Sequence, residues 1–247
     1  MTDQDDPGAA PPQARRAGVA GPIGAALFVG AGVAGYLFET TARTDGFDDG
    51  DNPAHSLALF AVNPTPYSLS GLALAVSALA LLMLVLATAE SVLAVVRPLY
   101  ARFVTGVGLI SAALLFLGGV IRLQAPGTVT HIASLDREWG IAAYLAVQMS
   151  GTQGALSAAI FAFALWSVGL CLVAARPRAL PVPVLLLGLL PALVLALPLF
   201  ALVGRLIGQD TSTALYPVYL VAIFGGIPLF TLGLGAVLLR MRHTPVG

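Results

Sequence analysis

The chain has 247 residues, and its composition excludes most classes of soluble protein. Hydrophobic residues make up 58% of it and charged residues 10%, whereas soluble globular domains carry about 25% charged residues. Twelve acidic side chains balance twelve basic ones, all of them Arg. This balance gives no electrostatic case for a nucleic-acid partner, whose binding needs clustered cations. The single cysteine, Cys171, allows neither an intrachain disulfide nor a thiolate metal cage, and we expect it to be buried.

Six long apolar runs predict six membrane-spanning helices. A helix needs about 20 apolar residues to cross a hydrocarbon layer of about 30 Å. Backbone groups in lipid find partners only within such a segment, and the runs lack the alternating polarity of barrel strands. The predicted spans are residues 17–38, 69–89, 103–121, 154–175, 180–204 and 215–239. The predicted fold class is therefore all-α, a polytopic membrane helix bundle forming one transmembrane domain over residues 17–243.

Residues 1–16, before the first run, are predicted to form a disordered cytoplasmic tail, because they contain too little apolar surface to offset chain entropy. The first run has 22 residues and exceeds the apolar core of a signal peptide, which has about 7–15 residues. We therefore expect it to remain as a span. Cleavage after Ala42, where Thr40 and Ala42 have the small side chains that signal peptidase requires, is the alternative.

The arginines predict the orientation of the spans, because Arg near helix ends is retained on the cytoplasmic side. If both termini are cytoplasmic, eight arginines lie inside: Arg15, Arg16, Arg97, Arg102, Arg176, Arg178, Arg240 and Arg242. Four then lie outside: Arg43, Arg122, Arg137 and Arg205. Most acidic side chains also fall outside. We therefore predict that both the N-terminus and the C-terminus are cytoplasmic.

Two long outer loops are predicted, residues 39–68 and 122–153. The first contains Asp-Gly and Asn-Pro turn signals and a short apolar piece, Leu57 to Val62, that fits the membrane interface. The second is predicted to contain a short amphipathic helix, with Ser134 as its N-cap and acidic residues in its first turn. A continuous helix running from this stretch into the fourth span is the alternative.

Several stretches are similar to one known family. They are RRAGVAGPIGAALFVGAGVAGYL, LLFLGGVIRL, HIASLDREWGIAAYLAVQ and FALWSVGLCLVAARPRALPVPVLLLGLL. Over residues 17–204 the chain resembles a large, uncharacterised bacterial family of six-helix integral membrane proteins, classed as a domain of unknown function. The resemblance implies the same six-span arrangement and no established activity, so it assigns no catalytic residues.

Glu90 and Arg122 are the ionisable residues closest to the predicted spans, where a charge costs several kcal/mol. They lie at helix ends on opposite predicted faces of the membrane. We expect Arg122 to extend to the outer headgroups; an ion pair with an outer-loop carboxylate such as Asp136 is the alternative. Glu90 is expected to be solvated at the inner interface, unless the second helix continues to Val96 and carries it into the layer.

His55 and His131 lie in the predicted outer loops near acidic residues, a combination typical of metal ligands. Neither has a second His at helical spacing, and the acidic string at residues 45–52 lacks the EF-hand register. The string at residues 148–153 contains a serine but no basic partner to activate it. The sequence therefore indicates no cofactor and no enzymatic activity. A metal-dependent enzyme acting at the outer surface is the third functional hypothesis.

Prolines in the last two predicted spans indicate bent helices, because each removes a backbone donor. Pro191 and Pro198 are seven residues apart, so their two kinks would share a face. We expect ordinary packing kinks. The alternative is a small transporter or lipophile carrier in which these helices move, with a cavity lined by Ser77, Ser111, Trp166 and Ser167.

The leading functional hypothesis is a non-enzymatic, multi-pass protein of the plasma membrane. Its expected partners are membrane lipids and other membrane proteins, which it contacts through its apolar helices and outer loops. The reason is the composition of the predicted spans, which contain no His or Asp and no pair of acidic residues.

Overall fold

The computed structural model describes residues 12–44, 53–175, 179–196 and 217–241. These residues are almost entirely helical, and none of them forms a strand. Among the described residues, five helices are long and apolar enough to cross a membrane: Val19–Thr41, Thr65–Val95, Pro98–Leu135, Arg137–Ala175 and Pro217–Met241. A shorter apolar helix, Val182–Ala196, lies within the predicted fifth span. The all-helical fold with several membrane-type helices is confirmed.

In chain order, the described residues form α-helices, one 3₁₀ turn and two π-helical segments. They are α1 (Pro12–Thr44), α2 (Pro53–Val62), α3 (Thr65–Ser91), a 3₁₀ turn (Leu93–Val95), α4 (Pro98–Leu135), α5 (Arg137–Ala146), the π-helical segment π1 (Val147–Gly154), α6 (Ala155–Ala175), α7 (Val182–Leu189), the π-helical segment π2 (Val221–Gly226) and α8 (Ile227–Met241).

Proline begins several of these helices, because its fixed φ suits the first turn and its missing N–H costs no hydrogen bond there. Pro53 and Pro98 are the first residues of α2 and α4, and Pro66 is the second residue of α3. Pro183 is the second residue of α7.

The N-terminal region is more helical than predicted. α1 begins at Pro12, so residues 12–16 of the predicted disordered tail are helical, while residues 1–11 lie outside the described residues. α1 also continues through Ala42 to Thr44. The apolar piece expected in the first outer loop is part of α2.

The predicted outer loop 122–153 is helical in the structure. α4 continues to Leu135, and a second helix then runs without a break from Arg137 through π1 into α6. The alternative of a continuous helix that runs from this stretch into the fourth predicted span is therefore observed. At 1.5 Å per residue, the 38 residues of α4 and the 39 residues of Arg137–Ala175 are about 57 Å and 58 Å long. Both are longer than the hydrocarbon layer of about 30 Å.

One residue, Asp136, makes the turn between α4 and α5. Its carboxylate accepts hydrogen bonds from the backbone N–H groups of Glu138 (2.8 Å) and Trp139 (3.0 Å), which makes it the N-cap of α5. The prediction that Ser134 caps this helix is wrong. Ser134 lies in the last turn of α4, where its hydroxyl donates to the carbonyl oxygen of His131 (2.7 Å).

The contacts divide the chain into two compact units. Unit one contains the described residues within Met1–Ala26, Leu82–Gly106 and Leu165–Gly247. In this unit Trp166 packs edge-on against Phe230, with ring centroids 6.0 Å apart. Gly188 of α7 has no room for a Cβ, which would contact Phe230 and the sulfur of Cys171. Cys171 is buried, as expected.

Unit two contains Leu27–Leu81 and Val107–Ala164 among the described residues. One part of its core joins α2 to α3, α4 and α5. Phe60 of α2 contacts the rings of Tyr67 and Tyr144, with centroids 4.8 Å and 5.7 Å away. The other buried residues of this cluster are Leu57, Ala125 and Val129.

The predicted irregularity at Pro191 is present. α7 ends at Leu189, and the following backbone hydrogen bonds join residues three apart, such as Ala192 N–H to Leu189 (3.1 Å) and Val194 N–H to Pro191 (3.1 Å). Pro191 has no N–H with which to continue the α-helical pattern. Pro198 lies outside the described residues, so a kink on a shared face stays a prediction.

Candidate functional site

A buried polar cluster lies in unit two, where α1, α3 and π1 meet α4. We call it the Arg122 cluster, and its members are Glu39, Tyr67, Arg122, Gln148 and Thr152. The Arg122 side chain is only 6% exposed, and its Nη1 donates to Oε2 of Glu39 at 3.3 Å. The Glu39 side chain is 29% exposed. Glu39 is thus the more exposed member of the ion pair, and Arg122 is the buried member.

Tyr67 connects Arg122 to π1. The guanidinium carbon of Arg122 lies 4.5 Å from the centre of the Tyr67 ring, a cation–π contact. The Tyr67 hydroxyl donates to Oε1 of Gln148 at 2.7 Å and lies 3.4 Å from the Thr152 hydroxyl. The ring therefore supports the positive charge while the hydroxyl binds the neighbouring helix.

A close contact between two helix backbones fixes the position of Arg122. A Cβ on Gly119 of α4 would lie 2.7 Å from the backbone nitrogen of Ala75 and 2.9 Å from the carbonyl oxygen of Gly71, both in α3. Only glycine permits this approach. Nearby, the Ser68 hydroxyl donates to the carbonyl oxygen of Leu123 at 3.4 Å. Because Arg122 follows Gly119 by less than one turn, the contact sets the point at which its side chain leaves α4.

π1 carries both polar partners of Tyr67. Gln148 and Thr152 lie within this π-helical segment, which packs on α4 so closely that a Cβ on Gly151 would be 2.8 Å from Cγ2 of Ile121. Short π-helical segments within α-helices are frequent at functional sites. This irregular backbone is a second feature, besides the buried charge, that distinguishes the cluster from ordinary helix packing.

Arg122 retains unused hydrogen-bonding capacity. A guanidinium offers five N–H donors, yet the buried Nε of Arg122 has no hydrogen-bond partner. A buried donor without an acceptor costs about 1–3 kcal/mol, and more if it is charged. The contact with Glu39, at 3.3 Å, is also longer than the 2.7–2.9 Å typical of charge-assisted bonds. Glu39 therefore satisfies Arg122 only in part.

The structure corrects two expectations about Arg122. We expected the Arg122 side chain to be exposed toward the outer headgroups, but it is buried within the protein. An acidic partner was the alternative, and one exists, but it is Glu39 instead of Asp136, whose carboxylate caps α5. The remaining charged candidate, Glu90, is exposed in the last turn of α3.

The two histidines that the sequence suggested as metal ligands both lie on helices. His131 is exposed on α4, and His55 belongs to α2, where its side chain lies outside the described residues. Within the part of the chain that the structure describes, no three His, Cys, Asp or Glu residues are placed to hold a metal ion.

Two hydroxyls expected to line a carrier cavity are engaged by neighbouring helices instead. Both are buried and donate to backbone carbonyl oxygens: Ser77 to Phe28 at 3.0 Å, and Ser111 to Ala159 at 2.9 Å. Trp166 and Ser167 are fully buried in unit one. These side chains therefore contribute to helix packing.

Sequence reasoning did not select Glu39 or Tyr67. Glu39 directly follows the first predicted span, just as Arg122 directly follows the third. A charged residue beside an apolar run was therefore a signal that could have identified both. Tyr67 gave no comparable signal, because aromatic residues are common at both membrane interfaces. Gln148 and Thr152 lay in a string considered only as a possible serine site.

Comparison of the chain with protein-family models, with curated proteins and with solved structures gave no match. The helices and the Arg122 cluster are therefore the features that bear on function, and the resemblance to a bacterial six-helix family stays a prediction.

Proposed function

We propose that this chain is a six-span integral protein of the plasma membrane, with both termini cytoplasmic, that binds lipids or other membrane proteins and catalyses no reaction. The observation that carries the proposal is the outer surface of the long helices. Each of them exposes large apolar side chains, including Leu27, Leu79, Ile110, Leu172 and Leu229. Such surfaces cost about 25 cal/mol per Å² in water, a cost that lipid removes.

The six-span count is supported by Val182–Ala196 together with the arginines. The described part of this helix has 15 residues, about 22 Å at 1.5 Å per residue, and the predicted span continues to residue 204, beyond the described residues. With six crossings the termini share one side. Five crossings would place Arg240 on the side opposite Arg15 and Arg16, against the tendency of Arg to remain cytoplasmic.

The chemistry of the Arg122 cluster supports a role in binding. Arg122 is paired with Glu39, and the Tyr67 hydroxyl is bonded to Gln148, so these groups hold one another in place. Catalysis by a serine or cysteine requires an adjacent base, and the cluster contains neither of these nucleophiles. Buried charges with unused donors are suited to recognising a polar group in an apolar setting.

A small carrier is the second candidate, and contact between two irregular segments favours it. A Cβ on Gly226 of π2 would lie 2.8 Å from Cβ of Leu190 and 3.3 Å from the nitrogen of Pro191, so π2 packs directly on the interruption after α7. Discontinuous helices that meet in this way are typical of transporters. Transport of a lipophile into sealed vesicles, lost on stiffening this place with Pro191→Ala, is the outcome that would support the carrier.

Two measurements test the leading proposal. Reporter fusions after residue 16 and after residue 241 are expected to be cytoplasmic, and a fusion between Leu135 and Arg137 is expected to be external. Mass spectrometry of the chain purified in mild detergent is expected to detect retained lipid. A C-terminal reporter outside the cell would contradict the six-span topology, and a chain that retains neither lipid nor any membrane protein would contradict the binding role.

A further inference from the structure

We infer that the Arg122 cluster binds the phosphate group of a membrane lipid, and that Glu39 fills this site internally when no lipid is bound. The inference rests on the proposed function, because it names the chemical class of lipid group that a lipid-binding membrane protein of this kind would recognise.

The donor pattern of Arg122 selects an oxyanion. Glu39 contacts Nη1 through a single oxygen at 3.3 Å, while Nε remains buried without an acceptor. Nη1 and Nη2 together form the end of the planar guanidinium, and phosphates and carboxylates bind this end through two oxygens at once. An anion that replaces Glu39 at Nη1 and places a second oxygen on Nη2 therefore makes one more hydrogen bond to Arg122 than the carboxylate of Glu39 does.

The accessible side of the cluster gives such an anion a route. The Glu39 side chain is 29% exposed and the Arg122 side chain 6% exposed, so Glu39 is the member of the ion pair that meets the surroundings. Rotation of the Glu39 side chain away from Nη1 opens this side. The departing carboxylate and the arriving phosphate carry the same sign of charge, so the exchange keeps Arg122 neutralised.

The depth of Arg122 selects a lipid over a soluble anion. Arg122 lies 24 residues beyond Pro98, the first residue of α4, which is about 36 Å along the helix axis. The hydrocarbon layer is about 30 Å thick, and about 40–45 Å with its headgroup regions. With Pro98 at one interface, Arg122 lies at the level of the headgroups on the other side, where lipid phosphates are the most concentrated oxyanions.

The surroundings hold the guanidinium ready for binding. The Tyr67 ring lies 4.5 Å from its central carbon, and the Tyr67 hydroxyl is fixed by Gln148 at 2.7 Å. The glycine contact at Gly119 fixes the backbone less than one turn away. A site ordered before binding loses less entropy when its ligand arrives. Tyr67 and Gln148 are positioning residues in this scheme.

The test uses the full chain in mild detergent, with retention of dioleoylphosphatidylglycerol measured by native mass spectrometry. The variants are Arg122→Gln, Arg122→Lys and Glu39→Gln, and Arg137→Gln is the control at an exposed arginine. Glu39→Gln is expected to increase retention several-fold, because it removes the internal competitor. Arg122→Gln is expected to reduce retention by about tenfold, the change that corresponds to about 1.4 kcal/mol. Arg122→Lys is expected to retain an intermediate amount of lipid, because a lysine has no planar pair of donors. Arg137→Gln is expected to retain as much lipid as the unsubstituted chain.

Further probes identify the source of the phosphate. Dioleoylglycerol, which has the same acyl chains but no phosphate, is expected to show no dependence on Arg122. Displacement of the lipid by millimolar inorganic phosphate would overturn the lipid assignment. A merely structural ion pair predicts that Glu39→Gln and Arg122→Lys both lower thermal stability and leave lipid retention unchanged, and that result would overturn the inference. If every variant retains the same amount of lipid, the phosphate site at Arg122 is refuted and the lipid-binding role stands. If neither the unsubstituted chain nor any variant retains lipid, both the phosphate site and the lipid-binding role are refuted.

Discussion

The contact between α3 and α4 yields the sharpest prediction for stability. In Gly119→Ala the new Cβ lies 2.7 Å from the backbone nitrogen of Ala75, whereas ordinary contact begins at 3.4 Å. The obstacle is backbone, so the helices must separate by about 0.7 Å, the difference between these two distances. Overpacking of this kind costs about 1–3 kcal/mol. The separation also shifts Arg122 relative to Glu39 and weakens their ion pair.

Gly106→Ala is the matched control, because Gly106 lies in the same helix and its Cβ would meet nothing within 4 Å. Both variants gain the same helix propensity, about 1 kcal/mol, so the difference between them isolates the clash. The assay is reversible unfolding in mixed micelles with increasing dodecyl sulfate, followed by far-ultraviolet circular dichroism. We expect Gly119→Ala to be about 1–3 kcal/mol less stable than Gly106→Ala. Equal stability of the two variants would refute the close approach.

Two further predictions concern hydrogen bonds made by side chains. Ser77→Ala and Ser111→Ala each lose a hydrogen bond to a neighbouring helix, so we expect each to lower the free energy of unfolding by about 0.6 kcal/mol in the same assay. Ser134→Ala is the control, because it loses only a hydrogen bond within its own helix. An equal loss of stability in Ser134→Ala would contradict the role of the two bonds between helices. Asp136→Ala removes the N-cap of α5 and is expected to lower stability by about 0.5–2 kcal/mol. The loss is expected to appear as faster hydrogen exchange at the Trp139 backbone amide, whereas Asp136→Asn is expected to keep this amide protected. Unchanged exchange in Asp136→Ala would contradict the cap.

The apolar runs predicted most of the membrane-type helices, because about 20 uncharged residues in lipid have only the helix available to them. The end of α4 was not predictable in the same way. Pro126 and Gly127 favour a break, yet α4 continues through both to Leu135. Pro126 removes the hydrogen bond to the carbonyl of residue 122 and its ring crowds that carbonyl, yet the continued helix places Val129 in the unit two core.

The Arg122 cluster could be predicted only in part. A charge beside an apolar run identified Arg122, but its partners come from segments distant in sequence, Glu39 at the end of α1 and Tyr67 at the start of α3. Hydropathy indicates whether a residue prefers water or an apolar environment, but it does not indicate which helices pack against each other. For the same reason the sequence favoured exposure of Arg122, because burial depends on the rings and helices that surround it.

Alkaline carbonate extraction of isolated membranes tests whether the long apolar helices lie within a lipid bilayer, on which the topology and the lipid site both depend. The chain is expected to remain in the membrane pellet after this treatment, which releases peripheral proteins, and to enter solution only when detergent is added. Recovery of the chain as a monomer in the carbonate supernatant, without detergent, would contradict the account.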